Sequence, residues 1–293
     1  MICPVCKTQK FNKWGKVGLY DILQCHSCGL GITSPFPSEE VLILANEEIY
    51  QVDKRIHAYL SRQKYFEDIY KQHLKRIKNY KISGKLLDVG CNIGLFLKVA
   101  RDEGYDVKGV ELNKTCAAFG AKHFNLDIRS ELLQAIAFPE KSFDVITLFD
   151  VLEHVADLHS FISELGRVLK DDGLLVLQSP NFDSLMANVT KSKWNWLTPP
   201  DHLYHFSPRA LGQLLEESGF RVKIVDTWEP ADEFATNVLS WYKSKNMFGK
   251  ILWKINQITK IASFAVSSVQ RIWWRKERGG LLRICAVKNL ERH

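Results

Sequence analysis

No secretory leader is visible at the start of the 293-residue chain: Met1-Ile2-Cys3-Pro4 has neither a basic n-region nor an apolar h-region. No run approaches ~18 uninterrupted apolar residues, so no spanning helix is expected. The seven cysteines are then expected in a reducing, cytoplasmic compartment, where disulfides are disfavoured. Extremes of composition are missing as well. With 46% hydrophobic and 25% charged residues, general disorder is excluded, and the length suits one large core plus a small accessory module. Two nucleotide fingerprints also fail. After the apolar run "LLDV", glycines stand at Gly90 and Gly94, but Leu97 occupies the position where a third would complete the dinucleotide pattern. Gly94-Leu95-Phe96 likewise lacks the Gly-Lys-Ser/Thr ending of a phosphate loop.

What is present begins with four cysteines. "CPVC" is followed by eighteen residues and then "CHSC", so Cys3, Cys6, Cys25 and Cys28 form two C-x2-C knuckles at the separation of a tetrahedral zinc site. Gly29 suits the tight turn after the second knuckle. Four thiolates would close the coordination sphere and make the ion structural. The competing readings are buried or disulfide-linked cysteines, and a C-x-x-C redox pair. The latter is disfavoured because neither knuckle starts a βαβ pattern.

Ser34-Pro35-Phe36-Pro37-Ser38 breaks the chain, and Ile56, Tyr59, Leu60, Phe66, Ile69, Tyr70, Leu74 and Ile77 then recur at helical spacing. This passage is expected to cover the edge of the next domain, and a lid over its cleft is the sharper alternative. From Lys85 strands and helices alternate. Strands are predicted at 85–89, 107–112, 127–128, 143–149, 174–178, 221–225 and 282–287, with helices near 95–103, 115–123, 158–169 and 208–218. Ser207-Pro208 opens the last helix and Gly219 closes it. Such alternation gives an α/β fold: a mostly parallel, Rossmann-like, doubly wound sheet with helices on both faces. Ligands bind beyond the carboxyl ends of its strands. The domains expected are a zinc-ribbon-like module over 1–35, a helical cover over 36–82, an α/β domain over 83–228 plus 281–293, and an insertion over 229–280.

Within that frame Asp88, the glycine-rich turn and Glu111 at the end of the next strand remain to be explained. A carboxylate at the end of the second strand can accept both hydroxyls of a ribose. The segments "LLDVGCNIG", "VKGVELN", "SFDVITLFDVLEHVADLHSFISELGRVLKDDGLLVLQSPN" and "PPDHLYHFSPRALGQLLEESGF", in this order, resemble the class I S-adenosylmethionine-dependent methyltransferases over roughly Gly84 to Lys288. The resemblance implies a seven-stranded sheet whose last strand is antiparallel. It implies that Asp88, Gly90, Cys91, Asn92 and Gly94 line the methionine part of the cofactor. Glu111, with Leu112 beside it, would bind the ribose. Glu131 and Leu132 would flank the adenine, and Phe149 and Asp150 would face the sulfonium. Asn92 stands where the family usually has glycine, and "RSELLQAIAFPEKSFD" lacks the family's usual Asp before the fourth strand. Tandem knuckles followed by such a domain are also similar to bacterial methyltransferases of polysaccharide and deoxysugar pathways.

Methyl transfer from a sulfonium is an in-line displacement in which positioning does much of the work. A base is needed only when the nucleophile is a protonated hydroxyl or a carbon acid. His154, His202 and His205 are the candidates, since a histidine near its ordinary pKa suits proton abstraction at neutral pH. The bland alternatives are that Glu153 and His154 orient a helix and that His205 fastens a loop. A divalent ion held by Glu153, His154 and His202 is a thinner alternative. The formal charge of +7 is concentrated in one place. Nine basic residues and a single acid, Glu277, lie between Ser240 and Gly279, interleaved with Trp241, Trp253, Trp273 and Trp274. This stretch reads as a helical pair packed on the protein, or as an interfacial helix on an anionic membrane. Nucleic-acid binding has no folding signature to support it. The acceptor expected is a sugar or glycan precursor, including a lipid-linked one, methylated on oxygen or carbon. The rivals are RNA or protein acceptors, and a binding module without catalysis.

Overall fold

The computed structural model describes residues 1–38, 40–42, 52–230, 232–234, 236–237 and 277–292. The described chain groups into two compact units: Met1–Leu42 with Ser179–Leu214 and Ile224–Ile284, and Ile43–Gln178 with Leu215–Lys223 and Cys285–His293.

In the first unit the chain after the first knuckle forms strand β1 (Phe11–Val17), which turns back into β2 (Tyr20–Cys25). The second knuckle then leads into β3 (Gly31–Ser34). These strands do not complete their own sheet. Its fourth strand is β9 (Tyr204–His205), paired through Gly31↔His205 and Ile32↔Tyr204. The sequence carried no sign of this, because a two-residue strand has no periodicity to read. Gly31 allows the approach: a Cβ there would stand 2.8 Å from the ring of Phe182 and 2.9 Å from Cβ of His205. The core beneath is Ile22, Phe182, Met186, Ala187, Trp194 and Leu197. Helix α6 (Leu185–Thr190) begins at Ser184, whose hydroxyl accepts from Ala187 N at 3.0 Å. Asn181 donates its side-chain amide to the carbonyls of Glu277 (2.9 Å) and Gly279 (2.8 Å), and Gly279 N donates to Thr227 Oγ1 at 3.0 Å.

The second unit opens with the helical cover. The apolar spacing predicts one continuous passage, but α1 (Val52–Ser61) and α2 (Gln63–Ile77) are separated at Arg62, which leaves helical geometry at φ −115°, ψ 18°. His73, Leu74 and Ile77 form the buried face of α2. Then come β4 (Gly84–Val89), α3 (Leu95–Asp102), β5 (Tyr105–Val110), α4 (Lys114–Phe124), β6 (Ile128–Arg129), β7 (Phe143–Phe149), α5 (Leu158–Val168) and β8 (Leu169–Pro180). Asn113 caps α4 by accepting from Thr115 N and Cys116 N, and Asp157 caps α5 by accepting from Ser160 N. Strand β8 starts five residues earlier than the sequence predicts. Leu169 pairs with Phe143 ahead of a register shift, and regular pairing resumes at Val145↔Leu174.

Helix α7 (Pro208–Glu217), β10 (Phe220–Trp228) and β11 (Leu281–Lys288) complete the chain. The seven-stranded sheet runs β10-β11-β8-β7-β4-β5-β6. The pairs β4/β5, β4/β7, β5/β6 and β7/β8 are parallel, and the last strand is antiparallel. The doubly wound fold expected from the sequence is therefore the fold observed. The order reverses beside β4, so the carboxyl ends of β4 and β7 flank the crevice where such sheets bind ligands. The basic stretch expected to form the insertion lies, from 238 to 276, outside the described residues. Among the described residues no helix is long and apolar enough to cross a membrane.

Candidate cofactor cleft and thiolate site

The turn after β4 is built from backbone geometry that side chains rarely permit. Gly90, Asn92 and Gly94 all have positive φ, at 75°, 52° and 76°. A Cβ on Gly90 would stand 2.3 Å from Val151 Cγ2, and one on Gly94 would stand 2.6 Å from Leu126 Cδ1. Gly90 N and Cys91 N donate to Val110 O at 2.7 and 3.1 Å, and Gly94 N donates to Cys91 O at 2.9 Å. Glu111 braces the turn from the neighbouring strand end: Oε2 accepts from Asn92 N and Oε1 from Asn113 N, both at 2.8 Å. Each carboxylate oxygen keeps a second lone pair, so holding the turn and accepting ribose hydroxyls are compatible.

Two groups in this cleft ask for a partner. Asn92 Oδ1 is buried and has no hydrogen-bond partner among the described residues. An orphaned acceptor of this kind costs ~1–3 kcal/mol, and an ammonium or amide donor on a ligand would offset that. Asp88 is buried and accepts from Thr147 Oγ1 at 2.6 Å. Burial pushes its carboxyl up to about 7, the negative charge of Glu111 adds to this, and Thr147 opposes it. A cation nearby would return it to the ionised form. The residues present thus fit an amino-acid-bearing nucleoside.

The remaining cleft candidates lie at neighbouring strand ends. Leu112 follows β5 and Leu132 follows β6; both are apolar side chains left exposed, as a slot for a flat heterocycle requires, and Glu131 is exposed beside them. Phe149 ends β7, half-buried, with its ring 4.9 Å from Phe96, 5.0 Å from His73 and 6.3 Å from Tyr70. Through these contacts α2 covers the carboxyl end of β7. Burial holds the His73 imidazole down at about 4, so this ring is a neutral packing element. Asp150 has φ 58°, donates its N–H to Gln178 O at 2.9 Å and accepts from Gln178 Nε2 at 3.1 Å. It is exposed, yet the surrounding protein raises its carboxyl, with Gln178 and His154 pulling it back.

The three histidines differ in burial and in hydrogen bonding. His154 ends the single turn Leu152–His154 directly after β7 and is half-buried. His202 is buried, and its Nδ1 lies 2.8 Å from Trp196 O. A carbonyl only accepts, so Nδ1 carries the proton and, in the neutral ring, Nε2 carries the lone pair. His205 is buried and tied to strand β3. Thr33 Oγ1 donates to His202 O at 2.7 Å, so its single proton is used, and the 3.2 Å contact to His205 Nε2 makes that nitrogen the donor. Burial, with His202 adding to it, holds the His205 imidazole down at about 3. A ring in that state is neutral and fastens its loop.

The four knuckle cysteines converge in the first unit. Cys3 and Cys28 sulfurs are 3.6 Å apart, Cys6 and Cys25 sulfurs 3.4 Å, and all four lie within 4.8 Å of one another. Tetrahedral Zn–S bonds of about 2.3 Å place sulfurs about 3.8 Å apart, so the donor set fits zinc. None of the seven cysteines is in a disulfide. The two knuckles share one backbone pattern: Lys7 N donates to Cys3 O and Gly29 N to Cys25 O, each at 3.0 Å, and Lys7 and Gly29 both have positive φ, 59° and 80°. The two sulfurs of one pair share a proton unequally: the Cys28 thiol pushes the Cys3 thiol down, Cys3 in turn pushes Cys28 up, and burial pushes Cys6 up.

A seven-stranded sheet with a glycine turn and an acid at successive strand ends defines an α/β enzyme with a nucleoside cleft. The methyltransferase domain family matches residues 58–223, more than half of the chain, and the protein belongs to it. A ubiquinone biosynthesis O-methyltransferase of Bartonella quintana is 28% identical over 176 residues, covering 56% of this chain and 69% of that protein. A probable S-adenosylmethionine-dependent methyltransferase of Mycolicibacterium smegmatis is 32% identical over 141 residues, 47% of this chain and 52% of that protein. The fold is that of S-adenosylmethionine-dependent methyltransferases: a structure from Archaeoglobus fulgidus is matched at TM-score 0.54 and 22% identity, over 79% of this chain and 99% of that one. Phosphoethanolamine N-methyltransferase 2 of Haemonchus contortus, solved with S-adenosyl-L-methionine, is matched at TM-score 0.55 and 19% identity, over 88% of this chain and 61% of that one.

Proposed function

We propose that the protein transfers the methyl group of S-adenosylmethionine to an oxygen of a small-molecule acceptor. The observation that carries the donor is the Gly90–Gly94 turn, with its orphaned Asn92 Oδ1, buried Asp88 and bracing Glu111. Bound there, the cofactor supplies an electrophilic methyl on a charged sulfur. Gly90, Cys91 and Gly94 would hold its methionine end, Glu111 its ribose, and Leu112, Glu131 and Leu132 would flank its adenine. Phe149 and Asp150 would face its sulfonium. A half-buried aromatic wall of Tyr70 and Phe149 would favour displacement there, because the sulfonium charge is dispersed as the methyl passes to the acceptor oxygen, whose proton goes to the base.

The acceptor oxygen is supported by relatives named for O-methylation in ubiquinone biosynthesis. The glycan acceptor expected from the knuckle arrangement gains no support from them, so a small molecule is the reading adopted. His154 is the proposed base and His202 the alternative. His154→Ala should lower turnover about a hundredfold or more while leaving cofactor affinity within twofold. Unchanged turnover would retire it. The donor is tested by calorimetry with S-adenosylmethionine, its demethylated product and a nicotinamide nucleotide; heat with the last alone would defeat the proposal. Labelled donor offered with small phenols, nucleotide sugars, a lipid-linked glycan and RNA in parallel identifies the acceptor class.

Cys3, Cys6, Cys25 and Cys28 are proposed as ligands of one structural zinc, tested by metal content: one zinc per chain is expected, and none after replacement of two ligands by Ser. The Ser240–Gly279 segment, with its nine basic residues, is proposed to contact anionic membrane surface. Failure to sediment with anionic liposomes at low salt would reject that contact.

A further inference from the structure

Strand β3 starts three residues after Cys28, pairs with β2 along one edge, and offers its other edge to one segment, His202–Ser207. Thr33 is fully buried (0% exposed). Its N–H donates to Leu203 O at 3.0 Å, its hydroxyl donates to His202 O at 2.7 Å, and the same oxygen accepts from His205 Nε2 at 3.2 Å. Gly31 and Ile32 pair with His205 and Tyr204. Two residues beyond His205, Ser207 Oγ donates to Cys28 O at 3.3 Å, back on the knuckle itself. The ring of His202 points its Nδ1 proton at Trp196 O, 2.8 Å away. The stretch around Trp196 rests on the same module, since Trp194 and Leu197 pack in one core with Ile22 of β2. Both anchors of His202, backbone and ring, are therefore fixed by chain that enters or leaves the thiolate site.

We propose that Thr33 is a positioning residue that makes the orientation of His202 depend on metal held by Cys3, Cys6, Cys25 and Cys28. The inference rests on the zinc reading of those cysteines. Thr33 suits the task because a β-branched side chain has few rotamers, so its hydroxyl moves only with the strand. Metal fixes Cys25 and Cys28, and these fix the register of β3. Metal loss frees the knuckle from its four sulfur contacts, and the carbonyl of residue 202 then loses its fixed donor.

The test uses the full chain with ¹⁵N-labelled histidine, read by long-range proton–nitrogen spectra, with His202→Gln assigning the signal. Zinc-loaded protein is expected to give a single Nδ1–H pattern at His202. Thr33→Val keeps the volume and removes the hydroxyl, and should convert this to a mixed pattern; Thr33→Ser should restore it. Chelation of zinc should reproduce the Thr33→Val spectrum, and zinc added back should reverse it. Zinc uptake with an unmoved His202 signal on stripping, or an unmoved signal in Thr33→Val, overturns the proposal alone. A chain that binds no zinc overturns the thiolate reading and the proposal with it. If Thr33→Val does not fold by circular dichroism, the stripping arm decides.

Discussion

Two residues of the cofactor turn make the sharpest demands. Gly90 has φ 75° and a Cβ there would meet Val151 at 2.3 Å, so Gly90→Ala faces both a left-handed backbone, ~1–2 kcal/mol, and a clash. Cofactor affinity is expected to fall at least about tenfold, measured by calorimetry, with the melting temperature lowered as well. Asp88 makes a pH prediction. Its carboxyl lies at about 7 in the fold against 3.8 ordinarily, so the folded protein retains a proton the unfolded chain gives up. That retained proton favours folding in full below about pH 4, and the contribution is lost as pH rises through 7. Asp88→Asn should flatten this part of the ligand-free stability profile. Cofactor binding carries the opposite sign, since a cation prefers the carboxylate. Affinity should weaken by up to about tenfold per pH unit below 7, with proton release visible as buffer-dependent heat, and Asp88→Asn should abolish both.

Among the elements, the helix caps are separable devices. Ser207 accepts from Ala210 N at 3.1 Å at the start of α7 while donating to Cys28 O. Ser207→Ala should therefore cost more than the ~1 kcal/mol of a lost cap, whereas Asp157→Ala on α5 should cost about that amount; chemical denaturation of the two variants compares them. These elements also mark how far the sequence could be read. Strand β7 was legible to the residue, because "FDVITLF" is a buried apolar run bounded by polar turns. The turn glycines and Glu111 were legible because left-handed backbone and a strand-end acid leave few residue choices. Thr147 was overlooked, although a hydroxyl inside an apolar parallel strand signals a buried partner, here Asp88. Thr33 and the state of His205 were out of reach, since both depend on a pairing between residues about 170 positions apart that no local pattern encodes. Lys7 could have been found: it holds the place after the first knuckle that Gly29 holds after the second.

For the molecule as a whole, the thiolate site is expected to act on stability out of proportion to its size. The four-strand sheet is closed by only two residues of β9, and structural zinc contributes folding energy directly. Removal of metal with a strong chelator should lower the melting temperature of the full chain, and thermal scans with and without added zinc measure it; an unchanged transition would argue that the cysteines merely pack. Cofactor affinity should hold better than the melting temperature, because the Gly90–Gly94 turn belongs to the unit formed by Ile43–Gln178.

The staple made by Asn181 and Thr227 on Glu277 and Gly279 has an evolutionary corollary. It brings the exit of the long excursion back to strand β10, from which the excursion departs, so the two ends form a closed gate. Loop-closure entropy grows only with the logarithm of length. Evolution can accordingly trade, lengthen or delete whatever is threaded through that gate without redrafting the catalytic sheet, and a laboratory graft at the same gate should be tolerated for the same reason.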